Sequence, residues 1–214
     1  MYEPAHFRVE DRATLFDVIR AHPLAQLITA GPGGLMANPI PFVLTGEPGR
    51  EVLRAHLARP NPQWQEMKAG AEPLVLFQSV EHYVSPSWYA TKAETHKVVP
   101  TWNYIVVQVR GPARVDDSRD WLHSQIDQLT QQHEGTRAEP WSVNDAPEPF
   151  IEAQMRGIVG VEIAIREITG KFKLSQNRKV EDQQGVVAGL AADGDAQAET
   201  MRALIAAHLA RAGA

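Results

Sequence analysis

Cysteine is absent from the 214 residues. This excludes a disulfide framework, a thiolate metal site, a cysteine nucleophile and a Cys-ligated iron–sulfur cluster. Long hydrophobic runs are missing too: no stretch approaches the about 18 apolar residues of a membrane-spanning helix. The opening Met1-Tyr2-Glu3-Pro4-Ala5-His6-Phe7 also lacks a basic segment followed by an apolar one. The expectation is a cytoplasmic protein with no membrane partner. Basic residues are in deficit, 21 Lys and Arg against 26 Asp and Glu, a formal charge of −5. Direct DNA binding would therefore need a local basic patch or a partner protein. Charging all eight histidines would bring the sum to +3, so this balance depends on pH. Several signatures are missing as well: a G-x-G-x-x-G turn, a phosphate loop, His-Glu-x-x-His, a Gly-x-Ser-x-Gly elbow, metal-ligand spacing and a basic recognition helix. No acid–base pair or nucleophile stands out, so no catalytic residue is assigned.

What is present reads as one globular chain, 43% hydrophobic and 22% charged, with 15 glycines and 15 prolines as punctuation. Helical spacing of Leu15, Val18 and Ile19 predicts a helix over Arg12 to Ala21, after Asp11 and before Pro23. Leu24 to Thr29 and Leu35 to Leu44 read as a hairpin around the Gly/Pro-rich link, and Val52 to Leu57 extends it to a three-stranded meander. A short helix is expected over Pro62 to Ala69 and a strand over Leu74 to Phe77. The strongest strand signal runs from Trp102 to Val109 and continues past Gly111-Pro112 to Val115; its Ile105-Val106-Val107 centre suggests burial on both faces of a central strand. A helix with Trp121, Leu122, Ile126 and Leu129 inward should follow Asp117 or Ser118, then a short helix near Phe150 to Met155. Ile158 to Ile168 and Lys171 to Leu174 return to strand. Residues 1–185 are expected to form one domain, and 186–214 an amphipathic C-terminal helix packed on it. Short strands, tight turns and inserted helices favour a mainly β barrel or sandwich with helical additions (α+β).

Four polar-aromatic clusters sit in loops or at strand ends. His56 to Trp64 places Arg59 and Asn61 before a helix start, suited to a phosphate or carboxylate, although Asn61 equally suits a helix cap. His82 to Tyr89 gathers aromatic rings and hydroxyls that could line a pocket for a planar ring or simply close a barrel mouth. Pro100 to Tyr104 places Thr101 and Asn103 on one strand face and Trp102 and Tyr104 on the other, a flat wall beside polar groups. Lys171 to Lys179 surrounds a Ser-Gln-Asn turn with basic residues. It is the best phosphate candidate, and also the one dense basic segment available to DNA; Arg178 and Lys179 read as solvated surface.

Taken in order, Asn61-Pro62-Gln63-Trp64, Tyr83 to Tyr89, Val99 to Tyr104, Gly157-Ile158-Val159-Gly160 and Lys173 to Asn177, with the opening Met1-Tyr2-Glu3-Pro4 and Phe7, resemble the PaiB-type FMN-binding negative transcriptional regulators. The resemblance runs from Met1 to about Gln184. It implies an FMN-binding split β-barrel, related to the pyridoxamine-phosphate oxidase-like flavoproteins, that works as a bacterial homodimer with flavin at the subunit interface. The role it implies is repression of degradative-enzyme and sporulation genes, with DNA association indirect or weak. Carried over by motif, Arg59, Lys173 and Ser175 are expected at the phosphate. Asn61, Thr101, Asn103, Gln176, Asn38 and His56 are expected at the polar parts of the flavin, and Trp88 and Trp102 as walls. An FMN-dependent oxidoreductase and a haem-binding split-barrel protein are the alternatives, since a bound flavin would itself supply redox chemistry.

Overall fold

The structure is a computed structural model that describes residues 1–212. In chain order its strands are β1 (Arg8–Val9), β2 (Leu24–Gly31), β3 (Gly34–Pro41), β4 (Val43–Thr45), β5 (Val52–Ala58), β6 (Leu74–Val84), β7 (Thr101–Arg110), β8 (Ala113–Asp116), β9 (Ile158–Ala164) and β10 (Glu167–Lys173). The helices are α1 (Arg12–Ala21), α2 (Gln63–Lys68), α3 (Thr91–Thr95), α4 (Arg119–Glu134), α5 (Glu148–Met155), α6 (Val180–Asp193) and α7 (Ala196–Ala212). These residues divide into two compact units: one of 1–11, 78–107 and 169–212, the other of 12–77 and 108–168.

In the second unit, α1 forms as its spacing predicts, burying Leu15, Phe16 and Ile19. β2 and β3 pair antiparallel from Leu24↔Pro41 to Gly31↔Gly34, which leaves Pro32-Gly33 as a two-residue turn. The expected single strand to Leu44 and its three-stranded meander are not found. Phe42 interrupts it, its N–H donating to Pro23 O at 2.9 Å and its buried ring lying edge-on to Phe77. β4 then joins a different sheet, ordered β4-β5-β9-β8, while β3 is the edge strand beside β2. Pro39 and Pro41 suit that edge, because proline has no N–H to donate to a further strand. The chain changes sheet again at Gly111-Pro112, where Pro112 cannot donate and its carbonyl instead accepts from Ala164 N at 3.0 Å. β8 is therefore a separate strand, paired with β9 from Ala113↔Ile163 to Asp116↔Gly160. Likewise Ile158 to Ile168 is two strands rather than one, parted after Ala164. Helix α4 fully buries Leu122 and Gln125, whereas the expected apolar positions Trp121, Ile126 and Leu129 are only partly covered.

In the first unit the strands lie in the order β1-β10-β7-β6. β7 alternates strictly, burying Asn103, Ile105, Val107 and Val109, so it is covered on one face and not on both. The C-terminal segment is two helices where one was expected from Val186. α6 begins at Val180 and ends at Gly194, whose φ of +69° suits glycine and reverses the chain. Asp195 Oδ1 then accepts from Gln197 N and Ala198 N, capping α7. Ala198, Met201 and Ile205 bury one stripe of α7, which packs with α6. The remainder of the expected helix, 213–214, lies outside the described residues.

Candidate functional site

Strand alternation decides which groups of the Pro-Thr-Trp-Asn-Tyr segment can meet the Lys-Leu-Ser-Gln-Asn turn. Asn103 points inward, fully buried, and its Nδ2 donates to Ser175 Oγ at 2.9 Å. Ser175 is itself buried and adopts a left-handed φ of 66°, unusual for a side chain that is neither Gly nor Asn. Gln176 spends both ends of its amide on the same turn, accepting from Leu174 N at 2.6 Å and donating to Phe172 O. Arg178 N closes the turn onto Ser175 O at 2.9 Å. Three of the residues expected at the flavin, Asn103, Ser175 and Gln176, are thus brought together as the groups that shape this turn.

What the turn carries is cationic. Lys173 Nζ donates to Thr101 Oγ1 and, at 2.6 Å, to Trp102 O. Lys171, two residues earlier and so on the same face of β10, is buried among Tyr2, Phe7 and Tyr104, with Nζ 5.5, 6.0 and 5.3 Å from the ring centroids. Arg178 is half-buried with its guanidinium 4.6 Å from the Tyr89 ring, not the solvated surface group expected. Among the described residues no ion pair joins Lys171, Lys173 or Arg178 to a carboxylate. The consequence shows at Lys173, whose pKa lies below the ordinary lysine value because of burial first and then repulsion from Lys171 and Arg178. A phosphate monoester would relieve that repulsion, so these side chains fit the charged end of FMN. On the face of β7 that also carries Tyr104, Trp102 is half exposed and meets Tyr83 edge-to-face at 5.9 Å, a flat apolar surface.

Trp88 is placed otherwise. Its indole lies on α6 where Gly185 and Gly189 leave room: a Cβ at Gly189 would fall 2.2 Å from the ring, and one at Gly185 1.9 Å from Trp88 O. The expected wall residue is packed into a helix.

The other expected residues belong to the second unit. Asn38 Nδ2 donates to Gln63 Oε1 at 2.9 Å, and Asn61 Oδ1 accepts from Gln63 N at 3.0 Å, the helix-capping use of asparagine. Gln63, quoted within a motif but given no role, is the hub. Fully buried, it also donates to Leu27 O, Thr29 Oγ1 and Met36 O, locking α2 to the β2–β3 hairpin. A glutamine in the first turn of a short helix gives no sign in the sequence that it will be buried. Arg59 directs Nε to Arg156 O at 3.0 Å and Nη2 to Ile158 O at 2.9 Å, with Asp117 3.5 Å from Nη1. His56, on β5 opposite Gly160, has a pKa below the ordinary 6.5 because burial disfavours the imidazolium. Because the folded-state value is depressed, the stability this neutral histidine contributes is present above the unfolded value and is lost as pH falls through the folded one. Urea unfolding of wild type and His56→Gln at pH 7.5 and 5 should show a larger acid-side loss for wild type than for the variant.

Among the described residues no cluster of His, Cys, Asp and Glu is suited to a metal ion. Among the described residues no helix is long and apolar enough to cross a membrane.

The chain is similar to known proteins along most of its length. A protein of Emericella nidulans is 36% identical over 211 residues, 82% of this chain and 84% of that one. Protease synthase and sporulation protein PAI 2 of Bacillus subtilis is 28% identical over 205 residues, 96% of each chain. The solved FAD and heme binding protein from Mycobacterium smegmatis superposes with a TM-score of 0.56 at 16% identity, over 85% of this chain and 80% of that one, a likeness of fold alone. The fold is an α+β split barrel with antiparallel sheets, and with 40% of the residues in helix and 32% in strand the expected predominance of strand is not found. The pattern of one family, described as "Putative FMN-binding domain", matches residues 1–167. The chain belongs to that family of PaiB-like proteins, and its cofactor is FMN.

Proposed function

We propose that this protein is an FMN-binding homodimer of regulatory type, in which the flavin acts as the ligand or redox signal. The observation that carries the reading is the set of Lys171, Lys173 and Arg178, three cations without a carboxylate partner beside the Thr101 hydroxyl. In this assignment Lys173 and Thr101 hold the phosphate, and Asn103, Ser175 and Gln176 hold the turn that aims Lys173. Trp102 with Tyr83 offers the flat surface for the ring. When bound, FMN supplies reversible electron transfer, while the protein sets access and charge. The gene-control role is supported by the B. subtilis relative, whose name ties it to protease synthesis and sporulation.

Direct groove reading is not what the basic segment suits. Lys171 is enclosed by aromatic rings and Lys173 is engaged with Thr101 and Trp102, which leaves too few free cations for a phosphate-tracking patch. In this reading any DNA association runs through a partner protein. For the haem alternative, two of the eight imidazoles are poorly placed. His82 Nδ1 is 2.7 Å from Tyr83 O while Nε2 faces Asp193 and Asp195, and His56 is half-buried.

The test is an absorbance spectrum of the protein as purified and again after addition of FMN and gel filtration. Flavin bands should co-elute with protein at the volume of a dimer, and a flavin-free dimer in both samples would overturn the reading. Rapid reduction of the bound flavin by NADH or NADPH, with turnover on an electron acceptor, would replace the regulatory reading with the oxidoreductase one.

A further inference from the structure

The inner face of α4 is polar where a helix lying on a sheet is normally apolar. Trp121, Gln125 and Gln128 recur at helical spacing over a face of the four-stranded sheet that carries Arg54 and His56 on β5 and Gly160 and Glu162 on β9, with Asp116 and the exposed Arg114 on β8 at its margin. The strand register sets Arg54 opposite Glu162 and His56 opposite Gly160, with Arg114 and Asp116 opposite the same two β9 residues. Gly160 lets the helix come close, since a Cβ there would lie 2.0 Å from the Trp121 ring. Arg54 ties the layers together: its guanidinium lies 4.2 Å from the Trp121 ring, Nη1 donates to Gln128 Oε1 at 3.2 Å, and Nε is 3.6 Å from Glu162 Oε2.

Several groups on this face have no hydrogen-bond partner on the protein. Gln125 is wholly buried with both its Nε2 and Oε1 unpartnered, and Trp121 Nε1, His56 Nδ1 and Arg54 Nε are buried without hydrogen bonds as well. One such group is costly to leave dry, and native proteins seldom keep even a few together. The unmet groups are mixed in kind: indole, guanidinium and amide N–H groups donate, while the amide oxygen and an imidazole nitrogen accept. The four charged side chains of the face balance, Arg54 and Arg114 against Asp116 and Glu162, so the face carries no net charge.

We propose that the layer between α4 and the β5–β9–β8 face is a binding site for a neutral occupant that donates and accepts hydrogen bonds at once. Ordered water and a compact amide- or urea-type molecule share that chemistry; an anion, a cation or an apolar molecule does not. Either would satisfy groups on Gln125, Trp121 and His56 that the protein leaves unmet. The site is independent of the flavin assignment, which rests on the other unit.

The experiment is a high-resolution crystal structure of the full chain, with a parallel soak in sodium bromide and thermal unfolding of Gln125→Met. Non-protein density within hydrogen-bond distance of both Gln125 amide atoms is expected. Discrete peaks identify water, and one connected planar feature, matched to a mass released on denaturation, identifies the organic occupant. Methionine keeps the length of glutamine but removes its amide, so the variant should melt about 3 °C or more below wild type. An anomalous bromide peak at the site, no density against Gln125, or an unchanged or raised Tm for Gln125→Met would each overturn the proposal.

Discussion

Lys173→Glu loses FMN while the flavin-free protein keeps or gains stability. A charge-assisted hydrogen bond to phosphate contributes about 1.5–3 kcal/mol, roughly 10- to 150-fold in affinity, and reversal of the charge adds repulsion. The expected loss is therefore about 100-fold or more in FMN dissociation constant, read by flavin fluorescence quenching. Neutral Lys173→Gln should lose about 10-fold or more by the same reasoning. The apo protein responds in the opposite sense, because Lys173 sits in a field from Lys171 and Arg178 and is itself partly desolvated. Removal of its charge relieves both penalties, so Tm should hold or rise. The sign with pH follows from the depressed pKa. As pH rises through that value Lys173 loses its proton, and wild-type FMN affinity falls earlier than for an ordinary lysine, whereas Lys173→Gln should lack that alkaline decline. Raised salt should weaken binding in wild type more than in Lys173→Gln. Equal FMN affinity in wild type and Lys173→Glu would show that the phosphate is held elsewhere.

Gly185→Ala is the second large effect, on stability. Alanine is the better helix former, worth about 1 kcal/mol over glycine in a helix interior, and with no other consideration the change would stabilise α6. Its Cβ, however, would lie 1.9 Å from Trp88 O and 3.1 Å from Trp88 C, which are main-chain atoms with no rotamer to change. Overpacking typically costs about 1–3 kcal/mol, and more where backbone must shift. Thermal unfolding should show Tm lowered by about 4 °C or more, at roughly 2–4 °C per kcal/mol for a chain of this size. The helix must separate from the Pro86–Trp88 turn to admit the methyl, so protection of the α6 amides from hydrogen exchange should fall with it. Gly33→Ala, where a Cβ would meet nothing within 4 Å, is the control and should leave Tm within about a degree. A Gly185→Ala protein as stable as wild type would mean that Trp88 and α6 are not packed as described.

Both predictions concern positions whose type was legible in the sequence and whose partners were not. Lys173 stood out because hydroxyl and basic residues flank a turn, and Thr101 because strand alternation put it beside Asn103. That Lys173 reaches Thr101, 72 residues earlier, and that Asn103 holds Ser175 across the same separation, comes from strand pairing. Trp88 is a pocket wall only by the family resemblance; the glycines that receive it lie about a hundred residues later in a helix expected to begin only at Val186. Arg59 shows the same limit: its charge suggested a phosphate, but its nearest acceptors are the carbonyls of Arg156 and Ile158, which no local pattern links to it.

The sequence alone determined whatever depends on neighbours along the chain. Two-residue and 3.6-residue periodicities placed α1, β5, β7 and α4, proline and glycine marked where the elements stop, and five ordered motifs identified the family and its flavin. Tertiary structure decided which sheet each strand joins, as at Phe42 and Gly111-Pro112, which face of β7 is covered, and which polar side chain satisfies which. The division has a physical cause. Helix and strand geometry repeats over a few residues and leaves its period in the chain. The partner of Gln63 at Leu27, of Asp182 at Thr91, or of a buried cation at a distant ring is chosen by the requirement that every group taken out of water find a hydrogen bond or a countercharge in three dimensions.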